Sequence, residues 1–280
     1  MRIIVTGSSG QLGSDVATEL TKNGCEVIRA DLPEIDITDK TAVSELISAS
    51  RADGVIHCAA FTNVDLAETE KEKCRNINVD GTFNLAEACQ KHGIKLLYIS
   101  TDYVFDGKGD KPFEIDSPKK PCNFYGLSKL GGEKAIIENC SKAFIVRISW
   151  VFGENGKNFV KTMLRLSEER NEISVVNDQI GSPTYTKDLA KLLCSMIFSD
   201  KYGIYHATNE GYCSWAEFAS KIMEISGSST KIIPISSDDY KTAAVRPKNS
   251  RLSKESLDRN GFSRLPDWED ALKRYLLNEC

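Results

Sequence analysis

The sequence of 280 residues predicts an α/β protein whose parallel sheet is wound with helices on both faces. Three observations support this fold class. Short runs rich in Ile and Val alternate with longer helical patterns, a glycine-rich turn follows the first run, and no internal repeat interrupts this order. Strands that are each followed by a crossover helix form a parallel sheet buried on both faces. Because such crossovers are right-handed, the expected architecture is the doubly wound, Rossmann-type fold.

The first half of the chain supplies the sheet in regular alternation. Strands are predicted over 2–6, 26–30, 54–58, 95–100 and 143–148, where β-branched and other apolar residues cluster. Helices are predicted over 11–23, 41–50, 80–92 and about 123–139. Each strand is thus followed by a segment long enough to cross over the sheet.

The pattern changes after about residue 155. Helices are predicted over 159–169, 187–198, 215–225, 254–260 and 268–277, with a short strand over 173–176. The connections between them are rich in Ser, Pro and Asp. We therefore expect residues 1–155 to form a dinucleotide-binding domain, with 183–205 returning to it. Residues 156–182 and 206–280 are expected to form a smaller α+β substrate-binding domain over the carboxyl edge of the sheet.

Composition excludes several classes of function. A net charge of −4 is unlike a nucleic-acid-binding surface, which needs a basic excess to neutralise phosphates. No segment approaches the roughly 20 apolar residues that span a bilayer, and the apolar run at the N-terminus is too short for a signal-peptide core. The sequence predicts a cytoplasmic protein with neither nucleic acid nor a membrane as partner.

Cysteine and histidine usage argues against a metal enzyme. The nine cysteines are scattered and form no Cys-x-x-Cys pair, and the three histidines lie far apart. In a reducing compartment such cysteines are expected to be small apolar core residues.

The segment Gly7-Ser8-Ser9-Gly10-Gln11-Leu12-Gly13 lies between the first predicted strand and the first helix. A tight turn that leads into a helix N-terminus brings backbone N–H groups close to a pyrophosphate. The spacing Gly-x-x-Gly-x-x-Gly differs from the Gly-x-Gly-x-x-Gly fingerprint. Its position between a strand and a helix nevertheless predicts a dinucleotide site.

Two further strand ends fit this cofactor. Asp31 ends the second predicted strand, where a carboxylate accepts hydrogen bonds from the adenosine ribose and repels a 2′-phosphate. Either NADH or NADPH is expected, with NADH favoured by Asp31 and nearby Arg29 softening that preference. Asp36 and Ile37 are placed to flank the adenine. The small pair Ala59-Ala60 after the third strand lets a dinucleotide lie across that edge.

The predicted catalytic residues are Thr101, at the end of the fourth strand, and Tyr125 with Lys129 on the following helix. Residues four apart share a helix face, so the phenol and the ammonium can project into one site. A free tyrosine has a pKa of about 10. We expect the neighbouring ammonium and the charge of a bound nicotinamide to lower this pKa towards the working range.

The order of these motifs resembles the extended short-chain dehydrogenase/reductase family, and within it the dTDP-4-dehydrorhamnose reductases. The similarity covers nearly the whole chain and includes motifs outside the cofactor fold. These are Ser100-Thr101-Asp102-Tyr103-Val104-Phe105-Asp106-Gly107, Tyr125-Gly126-x-x-Lys129, Arg147-x-Ser149-Trp150-Val151, Asn177-Asp178-Gln179-x-Gly181-x-Pro183-Thr184 and Arg246-Pro247-x-Asn249-Ser250.

The resemblance implies a role for each matching position. Tyr125 would protonate the keto oxygen, Lys129 would bind the nicotinamide ribose, and Thr101 would hydrogen-bond the reacting oxygen. Thr101, Asp102, Tyr103 and Trp150 would contact the sugar nucleotide. The residues expected to contact the dinucleotide come from the glycine-rich turn, from the strand ends and from the start of the helix that carries Tyr125. They are Gly7, Gly10, Gln11, Leu12, Gly13, Asp31, Asp36, Ile37, Ala59, Ala60, Phe61, Thr62, Ile99, Tyr125 and Lys129.

The implied reaction is reduction of the 4-keto group of dTDP-4-dehydrorhamnose to dTDP-L-rhamnose, a precursor of cell-surface polysaccharide. Nucleotide-sugar dehydratases, which have a similar scaffold, carry glutamate where this chain has Tyr103, so dehydration is disfavoured. Some relatives hold magnesium between subunits, but Asp15 is accompanied here by Lys187, and no metal is predicted. A homodimer is a possible assembly.

Two other functions remain open at this point. One is a reductase or epimerase that acts on another nucleotide sugar, because pocket residues alone do not fix the nucleotide or the sugar stereochemistry. The other is a non-catalytic regulatory subunit, since the regulatory subunit of methionine adenosyltransferase resembles these reductases.

Overall fold

Strands and helices alternate through the first half of the chain. The computed structural model describes residues 1–277. In chain order the elements are β1 (Arg2–Thr6), α1 (Gln11–Lys22), β2 (Glu26–Ala30), α2 (Lys40–Ser50), β3 (Gly54–His57), α3 (Lys71–Arg75), α4 (Thr82–His92), β4 (Lys95–Thr101), α5 (Phe124–Asn139) and β5 (Ala143–Ile148). The predicted strands and helices of this half are all present, with bounds close to those expected. The short helix α3 and the π-helical turn Asn76–Gly81 before α4 were not predicted.

The second half has more strands than the sequence indicated. Its elements are β6 (Val151–Phe152), α6 (Phe159–Glu169), β7 (Glu172–Val176), β8 (Ile180–Gly181), β9 (Thr184–Tyr185), α7 (Thr186–Phe198), β10 (Gly203–His206), β11 (Cys213–Ser214), α8 (Trp215–Ser226), β12 (Lys231–Ile235), α9 (Glu255–Arg259) and α10 (Trp268–Leu276). The five predicted helices are present, and β7 is the one predicted strand. Four of the remaining strands, β6, β8, β9 and β11, are two residues long and too short to show an alternation in sequence. Strand β12 has five residues but contains Pro234, a residue that argues against a strand.

The main sheet has six parallel strands in the order β10-β5-β4-β3-β1-β2. This arrangement confirms the predicted doubly wound α/β fold. Strand β10, which the sequence did not predict, extends the sheet beyond β5, with Gly203 paired to Phe144. The carboxyl ends of all six strands therefore lie along one edge.

Each face of the sheet has its own apolar core. Ile3 and Val5 pack into a core with Leu20 of α1 and Leu193 of α7, whereas Ile4 faces the opposite core under α2 and α4. A strand buried on both faces needs apolar residues at consecutive positions, because neighbouring side chains point to opposite sides. The continuous run Ile3-Ile4-Val5 meets that need.

A third core lies under the elements that follow β5. It includes Val160 of α6, Phe218 of α8 and Trp268 of α10. Leu257 and Phe262, in contrast, pack into the core of the main sheet. The proposed division into a cofactor domain and a substrate domain stays a prediction.

Six cysteines are buried, and Cys58 and Cys122 are half-buried; Cys280 lies outside the described residues. Within residues 1–277, none of the helices has the length and apolar character needed to cross a bilayer. The same residues contain no group of three or more His, Cys, Asp or Glu side chains arranged to hold a metal ion.

Candidate active site

A cleft of about 1450 Å³ opens along the carboxyl edge of the main sheet. Residues after β1, β2, β3, β4 and β5 border it, and residues of α6 and α8 form the opposite wall. This is where open α/β sheets bind their ligands. The cleft brings together every predicted site residue except Gly13 and Phe61.

The glycine-rich turn is shaped by close backbone approaches. Gly7 has a φ of +66°, and a Cβ there would lie 2.6 Å from the backbone N of Ala59. A Cβ on Gly13 would lie 2.1 Å from the carbonyl oxygen of Gly7. Side chains at these positions would push the turn away from β3 or from α1. Gly13 therefore acts in the packing of α1 against the turn and does not itself line the cleft.

Asp31 holds the glycine-rich turn from the tip of β2. Its carboxylate accepts hydrogen bonds from the backbone N–H of Ser8 and Ser9, at 2.9 and 2.7 Å, and from Ser8 Oγ at 2.8 Å. Burial acts to raise the pKa of Asp31, but these hydrogen bonds outweigh it and hold the pKa below its usual value. The carboxylate is ionised at neutral pH. Arg29 donates to the Ser8 carbonyl at 3.1 Å, beside the same turn.

Phe61 lies beneath the cleft rather than in its wall. Its backbone N–H donates to Asn78 Oδ1 at 2.8 Å, and Asn78 Nδ2 donates back to the Phe61 carbonyl at 3.1 Å. This double hydrogen bond fixes the loop after β3 to the π-helical turn. The neighbouring residues Ala59, Ala60 and Thr62 do line the cleft.

The start of α5 places Tyr125 beside the end of β4. Asn123 caps the helix, with its side chain accepting from the backbone N–H of Gly126 at 2.8 Å. A Cβ at Gly126 would lie 2.2 Å from the Tyr103 carbonyl oxygen, so glycine at this position allows the first turn of α5 to contact the turn that follows β4. The rings of Tyr103 and Tyr125 meet edge to face with centroids 5.5 Å apart.

The surroundings of Tyr125 favour its protonated form. Burial raises its pKa, the nearby Asp102 carboxylate adds to this effect, and the hydrogen bond with the Thr101 side chain opposes it. Our expectation that a neighbouring ammonium lowers this pKa does not hold for the chain alone, because desolvation outweighs the favourable contacts. The raised pKa keeps the phenol protonated at neutral pH, but it also makes the phenol a weaker acid than a free tyrosine.

Lys129 is buried one helical turn beyond Tyr125. Its side chain is nearly inaccessible, and its ammonium lies 4.1 Å from the centre of the Tyr98 ring, a cation–π contact. Burial lowers the pKa of Lys129 to about 7, and the negative charge of Glu133 opposes that shift. The ammonium therefore loses its proton close to neutral pH.

Thr101 and Asp102 form a buried polar pair where β4 ends. Thr101 Oγ1 donates to Asp102 Oδ1 at 3.0 Å and accepts from the backbone N–H of Tyr103 at 3.2 Å. Burial raises the pKa of Asp102 to about 6. Both side chains line the cleft beside Tyr125. A substrate carbonyl placed here would meet the hydroxyl groups of Thr101 and Tyr125.

An aromatic wall faces these polar groups. Trp150, in a left-handed conformation with a φ of +48°, stacks on Trp215 with centroids 3.7 Å apart. Phe159 packs on Trp215 at 4.6 Å, and Phe218 lies next to it in the same wall. The sequence pointed to Trp150 but not to the other three, which come from α6 and α8. Their helical periodicity indicates a buried helix face, but it does not show whether that face packs on the core or also lines a ligand site.

Comparison with known proteins places the whole chain in one family. The model of the RmlD substrate binding domain matches residues 1–279. The spore coat polysaccharide biosynthesis protein SpsK of Bacillus subtilis is 42% identical over 98% of this chain and 96% of its own length. The dTDP-4-dehydrorhamnose reductase of Aggregatibacter actinomycetemcomitans is 40% identical, with 97% of both proteins covered.

A solved structure agrees with these relatives. The dTDP-4-dehydrorhamnose reductase of Bacillus anthracis, in complex with NADP, superimposes with a TM-score of 0.97 over 99% of both chains at 44% identity. At this coverage the match includes the elements that border the cleft. The chain therefore belongs to the dTDP-4-dehydrorhamnose reductases, a family of NAD(P)-dependent oxidoreductases.

Proposed function

We propose that this protein reduces the 4-keto group of dTDP-4-dehydrorhamnose to give dTDP-L-rhamnose, with Tyr125 as the proton donor. The observation that carries the proposal is the grouping of Thr101, Tyr125 and Lys129 at one end of a cleft of about 1450 Å³. A cleft of this size accommodates a dinucleotide and a sugar nucleotide side by side. The family relationship supplies the substrate class.

The residues at the other end of the cleft fit a nicotinamide dinucleotide. Gly7 and Gly10 keep the turn free of Cβ atoms, and the N-terminus of α1 directs unpaired N–H groups towards it. In this proposal Asp31 holds the adenosine ribose and Lys129 holds the nicotinamide ribose; both side chains line the cleft. When bound in its reduced form, this cofactor supplies the hydride that the carbonyl carbon accepts.

The chain's own groups then manage the proton and the charge on oxygen. Tyr125 donates its phenolic proton to the keto oxygen, so the hydroxyl product forms without a free alkoxide. The Thr101 hydroxyl, which donates to Asp102 Oδ1 in the ligand-free chain, turns to donate to the same oxygen and stabilises the charge that develops there. The Lys129 ammonium stabilises the tyrosinate left behind, and bulk solvent later restores the proton.

The aromatic wall and Asp102 are proposed to hold the sugar nucleotide. Trp150 is held by its stacking on Trp215, so the part of its ring that lines the cleft presents a rigid apolar surface to a sugar ring. Asp102 and Tyr103 supply polar contacts on the opposite side. Replacing Trp150 by Ala is expected to raise the KM for the sugar nucleotide more than tenfold, or about 1.4 kcal/mol of binding, while the Kd for NADH stays near wild type.

The direct test is a steady-state assay of purified protein with NADH or NADPH and dTDP-4-dehydrorhamnose. We expect loss of the reduced-nicotinamide absorbance and formation of dTDP-L-rhamnose, identified by NMR. A panel of other nucleotide 4-ketosugars is the control for substrate class. Turnover of another member of the panel in preference to this substrate would redirect the proposal, and no turnover with any member would favour a non-catalytic role.

We also propose that NADH is preferred over NADPH. The ionised Asp31 carboxylate lies at the tip of β2, where a 2′-phosphate would bring a second negative charge. The preference is measured as the ratio of kcat/KM for the two cofactors. Asp31→Asn should move that ratio towards NADPH, although it also removes a charge that holds Ser8 and Ser9. A wild-type ratio that favours NADPH, like the NADP found with the Bacillus anthracis relative, would contradict the preference.

Assembly and location are part of the same proposal. We propose a homodimer, to be tested by sedimentation equilibrium over a range of protein concentrations. A cytoplasmic location is expected because the nucleotide-bound substrate and the reduced cofactor are found there, and cell fractionation would check it.

A further inference from the structure

A buried ion pair lies directly behind the candidate active site. The Glu133 carboxylate, on α5, accepts hydrogen bonds from Arg147 of β5, at 2.8 Å from Nε and 2.7 Å from Nη2. Ser100 Oγ, on β4, donates to the same carboxylate at 2.6 Å. The side chains of Glu133 and Arg147 are 2% and 0% exposed. One carboxylate thus joins α5 to two neighbouring strands of the sheet.

Arg147 is itself fixed on its remaining sides. Its Nη1 donates to the Ile115 carbonyl at 2.9 Å and lies 3.2 Å from His206 Nε2. The ring of Phe105 packs under the guanidinium at 5.1 Å. With these contacts the guanidinium has little freedom to follow a displaced partner. It is therefore a stationary reference point for the carboxylate of α5.

The catalytic groups are a short distance along the chain from this anchor. Tyr125, Lys129 and Glu133 follow one another at intervals of four residues, so they share the face of α5 that packs on β4. Ser100 immediately precedes Thr101. Helix and strand are also in tight contact, since a Cβ at Gly132 would lie 2.3 Å from Tyr98 Oη.

We propose that Glu133 is a positioning residue, which fixes the depth of Tyr125 and Lys129 in the cleft relative to Thr101. Glu133 does not line the cleft, so it acts through the helix rather than on the substrate. The inference rests on the proposed reductase function for its kinetic consequences. Its structural consequence, a displaced Lys129, is measurable without any substrate.

The charge of Glu133 has a second effect on Lys129. The groups that face the ammonium are Glu133 on the same helix, the ring of Tyr98 on β4, His57 and Cys58 at the end of β3, and Cys74 on α3. Burial lowers the pKa of Lys129, and Glu133 is the first of the charges that oppose it. Removing this charge should move the basic limb of the pH–rate profile to lower pH.

The kinetic test compares Glu133→Gln with Glu138→Gln, an exposed position on the same helix. We expect Glu133→Gln to lower kcat by about tenfold or more, because small misplacements of catalytic groups have effects of this order. Glu138→Gln should resemble wild type in kcat and in the Kd for NADH. If folded Glu133→Gln protein has the kcat and pH profile of wild type, the inference is wrong.

Glu133→Gln leaves Arg147 buried without its counter-ion, which alone can unfold the protein. The double variant Glu133→Met with Arg147→Met avoids this problem, because buried ion pairs are often replaced by apolar residues without loss of stability. We expect the double variant to melt near the wild-type Tm yet lose kcat by about tenfold or more. Wild-type kcat in this variant would show that the pair serves stability alone.

A spectroscopic measurement separates this inference from the proposed function. The Lys129 ammonium lies 4.1 Å from the centre of the Tyr98 ring, so the ring current should shift the side-chain methylene resonances of ¹³C-labelled lysine upfield. Lys129→Met assigns that resonance by its disappearance. Displacement in the double variant but not in Glu138→Gln supports positioning, even if wild type proves inactive on the substrate. An unmoved resonance overturns it, whatever the activity.

Discussion

Replacing Tyr125 by Phe removes one oxygen atom from the site and tests the proposed proton donor. The ring stays in its edge-to-face contact with Tyr103, so packing is preserved. The lost hydroxyl has a hydrogen bond with the Thr101 side chain, worth about 1 kcal/mol of stability. A general acid contributes about 10²–10⁴ to the rate, or about 2.7–5.4 kcal/mol of the barrier. The effect on turnover should therefore far exceed the effect on folding.

The assay is steady-state oxidation of NADH in the presence of dTDP-4-dehydrorhamnose, with cofactor binding measured separately by fluorescence titration. We expect Tyr125→Phe to lower kcat at least about a hundredfold, with a Kd for NADH close to wild type. Tyr212→Phe is the matched control, since this exposed tyrosine also donates one hydrogen bond, to the Leu252 carbonyl at 3.3 Å, but lies outside the cleft. Turnover of Tyr125→Phe within a few-fold of the control would refute the assignment.

Three further predictions follow from the same site. The kcat/KM should fall as the pH rises through about 7, because the buried Lys129 ammonium loses its proton there, and an active Lys129→Arg variant should lack this limb of the pH–rate profile. Asp102→Asn should stabilise the protein by up to about 3 kcal/mol at pH 8 and little at pH 4. Burial raises the pKa of this carboxyl to about 6, above its value in the unfolded chain. The stability that the neutral carboxyl gives the folded protein is therefore present below the unfolded pKa and is lost as the pH rises through 6. Thermal melts of both proteins at pH 4 and pH 8 measure this difference. Gly13→Ala should lower stability by about 1–3 kcal/mol and weaken NADH binding, because its Cβ would lie 2.1 Å from the Gly7 carbonyl oxygen; wild-type values of both would exclude that clash.

The features that the sequence revealed are those with a local signature. Residues 2–6 form a strand buried on both faces, and such a strand must be apolar at consecutive positions. The turn at Gly7 needs a positive φ, which shows in sequence as glycine. Tyr125 and Lys129 are related by one helical turn. In each case a single stretch of chain contains the whole constraint.

The features that could not be predicted from the sequence depend on residues far apart in the chain. Strand β10 is four residues long and joins the sheet only because β5 offers it an edge. Trp215 faces the cleft because it stacks on Trp150, from a different element. The raised pKa of Tyr125 depends on how deeply the ring is buried and on Asp102 beside it. Neither the burial of a side chain nor a contact with a residue from another element leaves a pattern within one segment of sequence.

The environment of Tyr125 sets a condition on the proposed proton transfer. Burial and Asp102 raise the pKa of Tyr125, so the phenol is protonated in the ligand-free site but is also a weaker acid than a free tyrosine. If Tyr125 is the proton donor, a positive charge beside it must lower the energy of the tyrosinate that forms. In the proposed mechanism Lys129 supplies that charge, as long as it keeps its own proton.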